Sequence, residues 1–256
     1  MSEENSFKEH PNLENVDWRF HAASTLAKDL TSPYSCTAHK AGEVVKTVVQ
    51  VGYLKGSIWF GVPNTTAMFL NLSQELYEIA KNIFESLPIK RKHKVTQSLE
   101  SGKEIFDYFE RLFGSIVFAF TAIESFANEY IPDDYVYIRN EPNDSKESLD
   151  KSEIERRVSL DEKISIILPD VFNIQFSKQK KVWHEYKKLE NRRGRIIHMK
   201  SVDRKSSTKD KETIWNVLIT EPIFNGQKIA KDLIFYFIGN LLSEKQPRWY
   251  RKYPYK

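Results

Sequence analysis

Late in this 256-residue chain, Glu190-Asn191-Arg192-Arg193-Gly194-Arg195-Ile196-Ile197-His198 sets three arginines and a histidine against a short apolar step. A guanidinium is a planar fork of donors suited to holding a phosphate, and an imidazole is the side chain that moves a proton near neutral pH. Residues of these two kinds in one short stretch suggest phosphodiester chemistry.

Spacing limits how they work together. Successive residues of a helix turn by about 100°, so Arg193 and His198 would stand about 140° apart, whereas Asn191, Arg195 and His198 would share a face. Gly194 weakens a helix at this point and permits a bend. The surrounding charge favours an anionic partner. From Lys178 to Lys205 there are eleven basic residues and three acidic ones, a local excess of eight within a chain of net charge +4. A basic run is also what a solvated helix face looks like, and the histidine inside it is what tilts the reading toward function. A second basic run, Lys90-Arg91-Lys92-His93-Lys94, follows Pro88 and reads as a surface loop. The C-terminal Arg248-Trp249-Tyr250-Arg251-Lys252-Tyr253-Pro254-Tyr255-Lys256 interleaves rings with cations. That pattern suits either a single-strand binder or a tail that docks its aromatics on the body.

Arg193, four intervening residues and His198 resemble the R-x4-6-H signature of the HEPN superfamily, and Arg192 with five intervening residues fits the same rule. Phe120-Thr121-Ala122-Ile123-Glu124-Ser125-Phe126-Ala127-Asn128-Glu129 is similar to that superfamily's first core helix, with its Ala-x-Glu-x-Phe-x-Asn-Glu pattern. The two motifs come in the expected order, and the similarity spans roughly residues 103 to 243. The resemblance implies a mainly α fold, a HEPN-like helical bundle, and a site formed at a dimer groove where motif residues of two subunits converge. It implies metal-independent RNA cleavage by attack of the 2′-hydroxyl on the adjacent phosphate. His198 would be general acid or base, Arg193 with Arg192 or Arg195 would hold the phosphate, and Glu124 would orient the histidine or an arginine. Asn191, Arg195, Asn128, Lys188 and Lys200 would contact RNA. A homodimer, RNA and a cognate antitoxin or regulatory protein are the implied partners. In one respect the chain departs from the family form: many members carry asparagine, aspartate or histidine directly after the arginine, and here Gly194 follows Arg193 while Arg193 follows Arg192. This leaves the register open, and with it a non-catalytic module that binds RNA, a nucleotide or a protein. A helical interaction protein without nucleic-acid function is the third reading. Glu124 also reads as a charged residue on the solvent side of a long helix.

Other chemistries lack their residues. There is no H-E-x-x-H, paired C-x-x-C, G-x-S-x-G, G-x-x-x-x-G-K or G-x-G-x-x-G pattern, so neither a metal nor a cofactor is expected. Cys36 is the single cysteine, which fits a reducing cytosol. The start, Met1-Ser2-Glu3-Glu4-Asn5, has no secretory plan. The most apolar helix-length run, Leu112 to Ala127, is short for a membrane span and contains Glu124, so a cytoplasmic protein without a membrane partner is expected.

With 40% hydrophobic and 13% aromatic residues, the chain has enough apolar material for a true core. Two parts are read: an N-terminal β-containing extension over residues 1–62 and a helical domain over 63–256 that ends in the basic aromatic tail. Trp18 to Leu30 suggests a short helix or irregular packing. Val44 to Val51, a glycine-containing turn and Ile58-Trp59-Phe60 read as a hairpin. Pro63-Asn64-Thr65 opens a helix that Pro88 stops. Lys103 to Tyr130 carries an apolar stripe at spacings of three and four and predicts a buried helix. Asn140 to Asp150 reads as an acidic loop, and Ser152 to Ile167 as a helix interrupted by Pro169. Phe176 to Leu189 resumes helical spacing and leads into the arginine motif. Ser201 to Lys211 reads as a mobile loop, Ile214 to Ile219 as either strand or helix, and Ile229 to Leu242 as a last amphipathic helix.

Overall fold

The computed structural model describes residues 16–21, 23–25, 29–31, 38–41, 44–87, 102–140, 146–204 and 213–255. They are mainly helical, with small antiparallel ladders concentrated toward the N-terminus. The chain forms two compact units, one of Met1–Met68 with Ile238–Lys256 and one of Phe69–Phe237. This grouping puts the tail with the N-terminal part, whereas the sequence division keeps it with the helical part.

In the first unit, strand β1 (Ala23–Thr25) pairs with β4 (Val44–Lys46), and β2 (Leu30–Thr31) pairs with β3 (Ala38–His39). Where Trp18 to Leu30 reads as a short helix or irregular packing, the described residues form a turn and an isolated bridge at Phe20, then a strand over Ala23–Thr25, with Leu30 opening β2. The expected hairpin is present as β5 (Val48–Tyr53) and β6 (Gly56–Gly61), in the register Val49↔Phe60, Val51↔Ile58. Its two-residue turn puts Leu54 at φ 54°, a left-handed position that β-hairpin turns demand and usually fill with glycine or asparagine. The tail docks: Trp249 and Tyr253 are buried, Trp18 meets Tyr253 edge-on at 5.3 Å, and the buried Arg248 guanidinium donates to the carbonyls of Val16 at 2.8 Å and Asp17 at 3.0 Å.

Helix α1 (Thr65–Ser86) starts where Pro63-Asn64 predicts: Asn64 Oδ1 accepts from the Ala67 N–H at 2.8 Å, the usual work of an N-cap side chain. In the second unit, α2 (Lys103–Tyr130) spans the predicted residues and buries Leu112, Ile116, Ala119, Ile123, Phe126 and Ala127. Ser73 and Ser115 each donate to the other's carbonyl at 2.8 Å, locking α1 to α2. Gly114 permits this approach, since a Cβ there would come within 2.8 Å of Leu76 Cδ1. Where an acidic loop is expected, β7 (Tyr137–Asn140) and β8 (Lys146–Leu149) form a ladder, its charges paired across the strands by Arg139 and Glu147 at 2.6 Å.

After β8 the chain forms α3 (Lys151–Arg157) behind an Asp150–Glu153 capping box, then α4 (Leu160–Glu162), a π turn (Lys163–Ile167) and α5 (Leu168–Val171). Pro169 does not interrupt the helical path but widens it. A proline ring collides with the carbonyl four residues back, here Ser165, and supplies no N–H for it. The wide turn relieves both problems, with the Leu168 N–H reaching Lys163 O. The chain breaks only afterwards, at Asn173 with φ 51°. Helix α6 (Lys181–Ile197) takes in the arginine motif and packs on α2. A 3-10 turn (Ser201–Arg204) follows, then α7 (Ile214–Thr220), which settles the strand-or-helix ambiguity, then α8 (Gly226–Ile238), and in the first unit α9 (Arg248–Arg251). The basic run at Lys90–Lys94 and most of the stretch read as a mobile loop lie outside the described residues. Among the described residues, no helix is long and apolar enough to cross a membrane.

Candidate functional site

Phe120, Glu124 and Asn128 recur every four residues on α2 and so form a stripe about 12 Å long. The other residues of the site gather on this stripe. The Arg193 guanidinium, from α6, lies over the Phe120 ring with 5.1 Å between its carbon and the centroid. At the other end, Lys163 donates to Asn128 Oδ1 at 2.9 Å and to the Glu155 carbonyl at 3.1 Å. Lys163 is 5% exposed, an unusual place for an ammonium. The π turn explains it: the altered rotation carries Lys163 inward with Ile164 and Ile167, which are both buried.

Glu124 sits between the two cations. Half-burial pushes its carboxyl above the ordinary range, and the charges of Arg193 and Lys163 pull it back only in part. Lys163 is shifted the other way: burial lowers its pKa against the opposing charges of Glu155 and Glu124. Among the described residues, neither the Glu124 carboxylate nor the Arg193 guanidinium has a hydrogen-bond partner. Beside them, Tyr186 stacks on Phe120 at 6.3 Å and donates its hydroxyl to Asp161 at 2.7 Å. Burial, then this bond to a carboxylate, drive the Tyr186 pKa far upward, so its hydroxyl stays protonated.

The other motif arginines are engaged. Arg192 pairs with Glu221 at 2.7 Å and lies over Phe224 at 5.6 Å. Arg195 pairs with Asp203, whose side chain is fully buried. Lys188 pairs with Glu185 at 2.8 Å, and both Asn191 and Lys200 are exposed. Lys188, Asn191 and Arg192 line an open groove of about 880 Å³ along α6, together with His184, Lys187 and Phe224. His198 is the C-cap of α6: its backbone N–H reaches Gly194 O at 2.9 Å and its imidazole is exposed, with no side-chain hydrogen bond among the described residues.

Of the nine residues singled out in the sequence, seven therefore divide among three places, while Arg195 turns to Asp203 and Lys200 lies exposed beyond α6. Arg193, Glu124 and Asn128 come to one stripe. Arg192, Asn191 and Lys188 face the groove. His198 stands at the helix end, since the arginine motif is regular helix through Ile197 and Gly194 does not bend it enough to end it. Sequence reasoning missed Lys163, Asp203 and Glu221. Only Lys163 had a local signal, a lone cation in the apolar run Ile164-Ser165-Ile166-Ile167-Leu168 with a proline close behind.

The chain is thus a mainly helical protein with a half-buried carboxylate flanked by two cations, on the inner side of a strongly basic helix. No protein-family model, curated protein or solved structure matches the chain.

Proposed function

We propose that the chain is a HEPN-type, metal-independent endoribonuclease of the cytoplasm, with its site completed by a second copy of itself. The observation that carries this reading is the state of Arg193. Its neighbours Arg192 and Arg195 spend their donors on Glu221 and Asp203, while the Arg193 guanidinium keeps its own available beside Glu124. This favours the register with four residues between arginine and histidine. A guanidinium so placed takes a phosphate by two parallel hydrogen bonds and stabilises the charge that builds on it.

The chemistry balances on the chain's own groups. His198 removes the proton of the ribose 2′-hydroxyl as O2′ attacks the adjacent phosphorus. The P–O5′ bond breaks, and the leaving oxygen takes a proton from an imidazolium. The products are a 2′,3′-cyclic phosphate and a 5′-hydroxyl. Positioned proton transfer of this kind contributes roughly 10² to 10⁴ in rate. Arg193 and His198 stand about 140° apart around one helix, which argues that two copies are needed to close the site. A ribonuclease held in the cytoplasm calls for restraint, and a cognate antitoxin or regulatory protein is the partner proposed for it.

The groove along α6 favours a second reading, a non-catalytic module that binds RNA, a nucleotide or a protein. One experiment separates the two: structured and single-stranded RNAs incubated in EDTA with the wild type, His198→Ala and Arg193→Ala. Cutting by the wild type alone, with cyclic phosphate ends, is expected. If a folded, dimeric wild type cuts nothing but binds RNA as tightly as His198→Ala, with a log–log salt slope of about 0.7 per phosphate on a single strand, the second reading holds instead.

A further inference from the structure

We infer that Lys163 is a positioning residue that locks the Asn128 amide with its nitrogen outward, so that Asn128 and Arg193 offer donors alone to an RNA strand lying along α2 over Glu124. The inference deepens the RNA reading above and rests on it.

An ammonium has three donors and no acceptor. The Asn128 atom 2.9 Å from Lys163 Nζ is therefore the amide oxygen, because the reverse orientation would set N–H against N–H. Amide orientation is commonly a matter of preference between two acceptable networks, and here a buried charge leaves one. Lys163 cannot swing away to relax it, being 5% exposed and tied to the Glu155 carbonyl at 3.1 Å. The consequence lies on the other side of the amide. Nδ2 carries two N–H groups turned away from Lys163, and among the described residues nothing accepts from them.

Lys163 is too deeply set to touch a ligand itself. The groups left to meet one are the Asn128 amide at one end of the stripe and the Arg193 guanidinium at the other, with half-buried Glu124 between them. Eight residues of helix separate Phe120, under Arg193, from Asn128, about 12 Å of rise. That span is too long for one phosphate to bridge and suits a backbone with successive phosphates. The chemical class is an extended single strand held at two points. Glu124 shapes the same choice, since Arg193 and Lys163 flank its carboxyl and offset its repulsion of the strand.

The test reads binding without cutting. A 2′-deoxy hexanucleotide lacks the attacking hydroxyl, and inorganic phosphate serves as the short probe. In wild-type protein the Asn128 side-chain amide resonances and the Arg193 Nε–H resonance are expected to move together on adding the hexanucleotide, and not with phosphate at equal charge. Asn128→Asp keeps a partner for Lys163 and so keeps the fold, but it replaces the outward N–H groups by an oxygen, and affinity at low salt is expected to fall at least 10-fold. Lys163→Gln frees the amide to turn over, and the Asn128 resonances are expected to double or broaden while affinity falls several-fold. The inference is overturned if the hexanucleotide does not bind, if it binds without moving the Asn128 amide, if phosphate alone moves both resonances, or if Asn128→Asp binds within twofold of wild type. Its failure is distinct from that of the nuclease reading. Protein that binds through Asn128 but cuts no RNA refutes only the nuclease. Protein that cuts RNA equally well as Asn128→Asp refutes only this inference.

Discussion

Replacing Asp203 by asparagine removes one charge and little volume, and it attacks the support on which the last turn of α6 rests. The Asp203 side chain is 0% exposed and its partner Arg195 is 15% exposed. The carboxylate also accepts the Ile214 N–H at 2.6 Å, opening α7, while the Asp203 carbonyl accepts the Trp215 indole N–H at 2.7 Å. An asparagine keeps the Ile214 bond and the backbone contact, so the loss is that of the charge partner. Taking one member from a buried pair costs about 3 kcal/mol, because Arg195 loses the charge that faced it in the interior. With about 2–4 °C per kcal/mol for a chain of this size, the melting temperature at pH 7 should drop by about 6–12 °C. The pH dependence supplies a second check. Burial pushes the Asp203 carboxyl up, but the Arg195 hydrogen bond, the Ile214 N–H, the Arg195 charge and the Lys200 N–H together outweigh it and leave its pKa below the usual value. A carboxyl depressed in the fold contributes stability that is fully present above its unfolded pKa, about 3.9, and is lost as pH falls through the folded value. The gap between wild type and Asp203→Asn should therefore be widest at neutral pH and close in strong acid. Thermal unfolding by circular dichroism across pH measures both. A melting point within about 2 °C of wild type at pH 7, well under the shift one kcal/mol would give at the upper end, would refute the reasoning, as would a gap that does not change with pH.

Glu124→Gln should stabilise the protein at neutral pH. Because its folded pKa is raised, wild-type Glu124 favours the fold in acid and loses that advantage as pH rises through the folded pKa, so the variant's gain should appear on that same rise in chemical denaturation. Arg248→Ala leaves the Val16 and Asp17 carbonyls without their buried charged donor and should cost about 2–3 kcal/mol, read as faster hydrogen exchange in the first unit. Gly61→Ala would place a Cβ 1.7 Å from Phe20 Cε1, so the ring must move. A cost of about 1–3 kcal/mol is expected, and much of it should be recovered in the double variant with Phe20→Ala, measured as a mutant cycle. His198→Ala should alter stability by less than about 0.5 kcal/mol while abolishing RNA cleavage, since its exposed ring carries no side-chain bond.

The features legible in the sequence were those written in local chemistry. Lys103–Tyr130 announced itself because its apolar residues recur every three or four positions, and Pro63-Asn64 because asparagine caps by a bond to the chain three residues on. Less legible were features decided by partners distant in the chain. Residues 146–149, Lys-Glu-Ser-Leu, are polar enough to read as part of a loop, yet they form a strand in which Glu147 pairs with both Arg139 and Arg157. The tail's alternation of rings and cations fits RNA as well as it fits a body. Trp18, Val16 and Asp17, more than 200 residues away, decide for the body.

The arginine motif shows how the same limit reaches function. Three arginines in four positions are nearly equivalent on paper, and each is assigned a different task by a residue that its own neighbourhood does not contain. Glu221 takes Arg192, Asp203 takes Arg195, and Phe120 receives Arg193 beside Glu124. A motif that names only arginine and histidine cannot choose between registers, because the choice depends on which carboxylates are near enough to neutralise a guanidinium. Here the surrounding fold neutralises two and leaves one, and that one lies on the stripe whose far end is set by Lys163. If Arg193→Ala abolished RNA binding or cleavage while Arg192→Ala spared it, this sorting by carboxylates would be the reason. Equal losses from both would mean that the Arg192–Glu221 pair opens when RNA arrives.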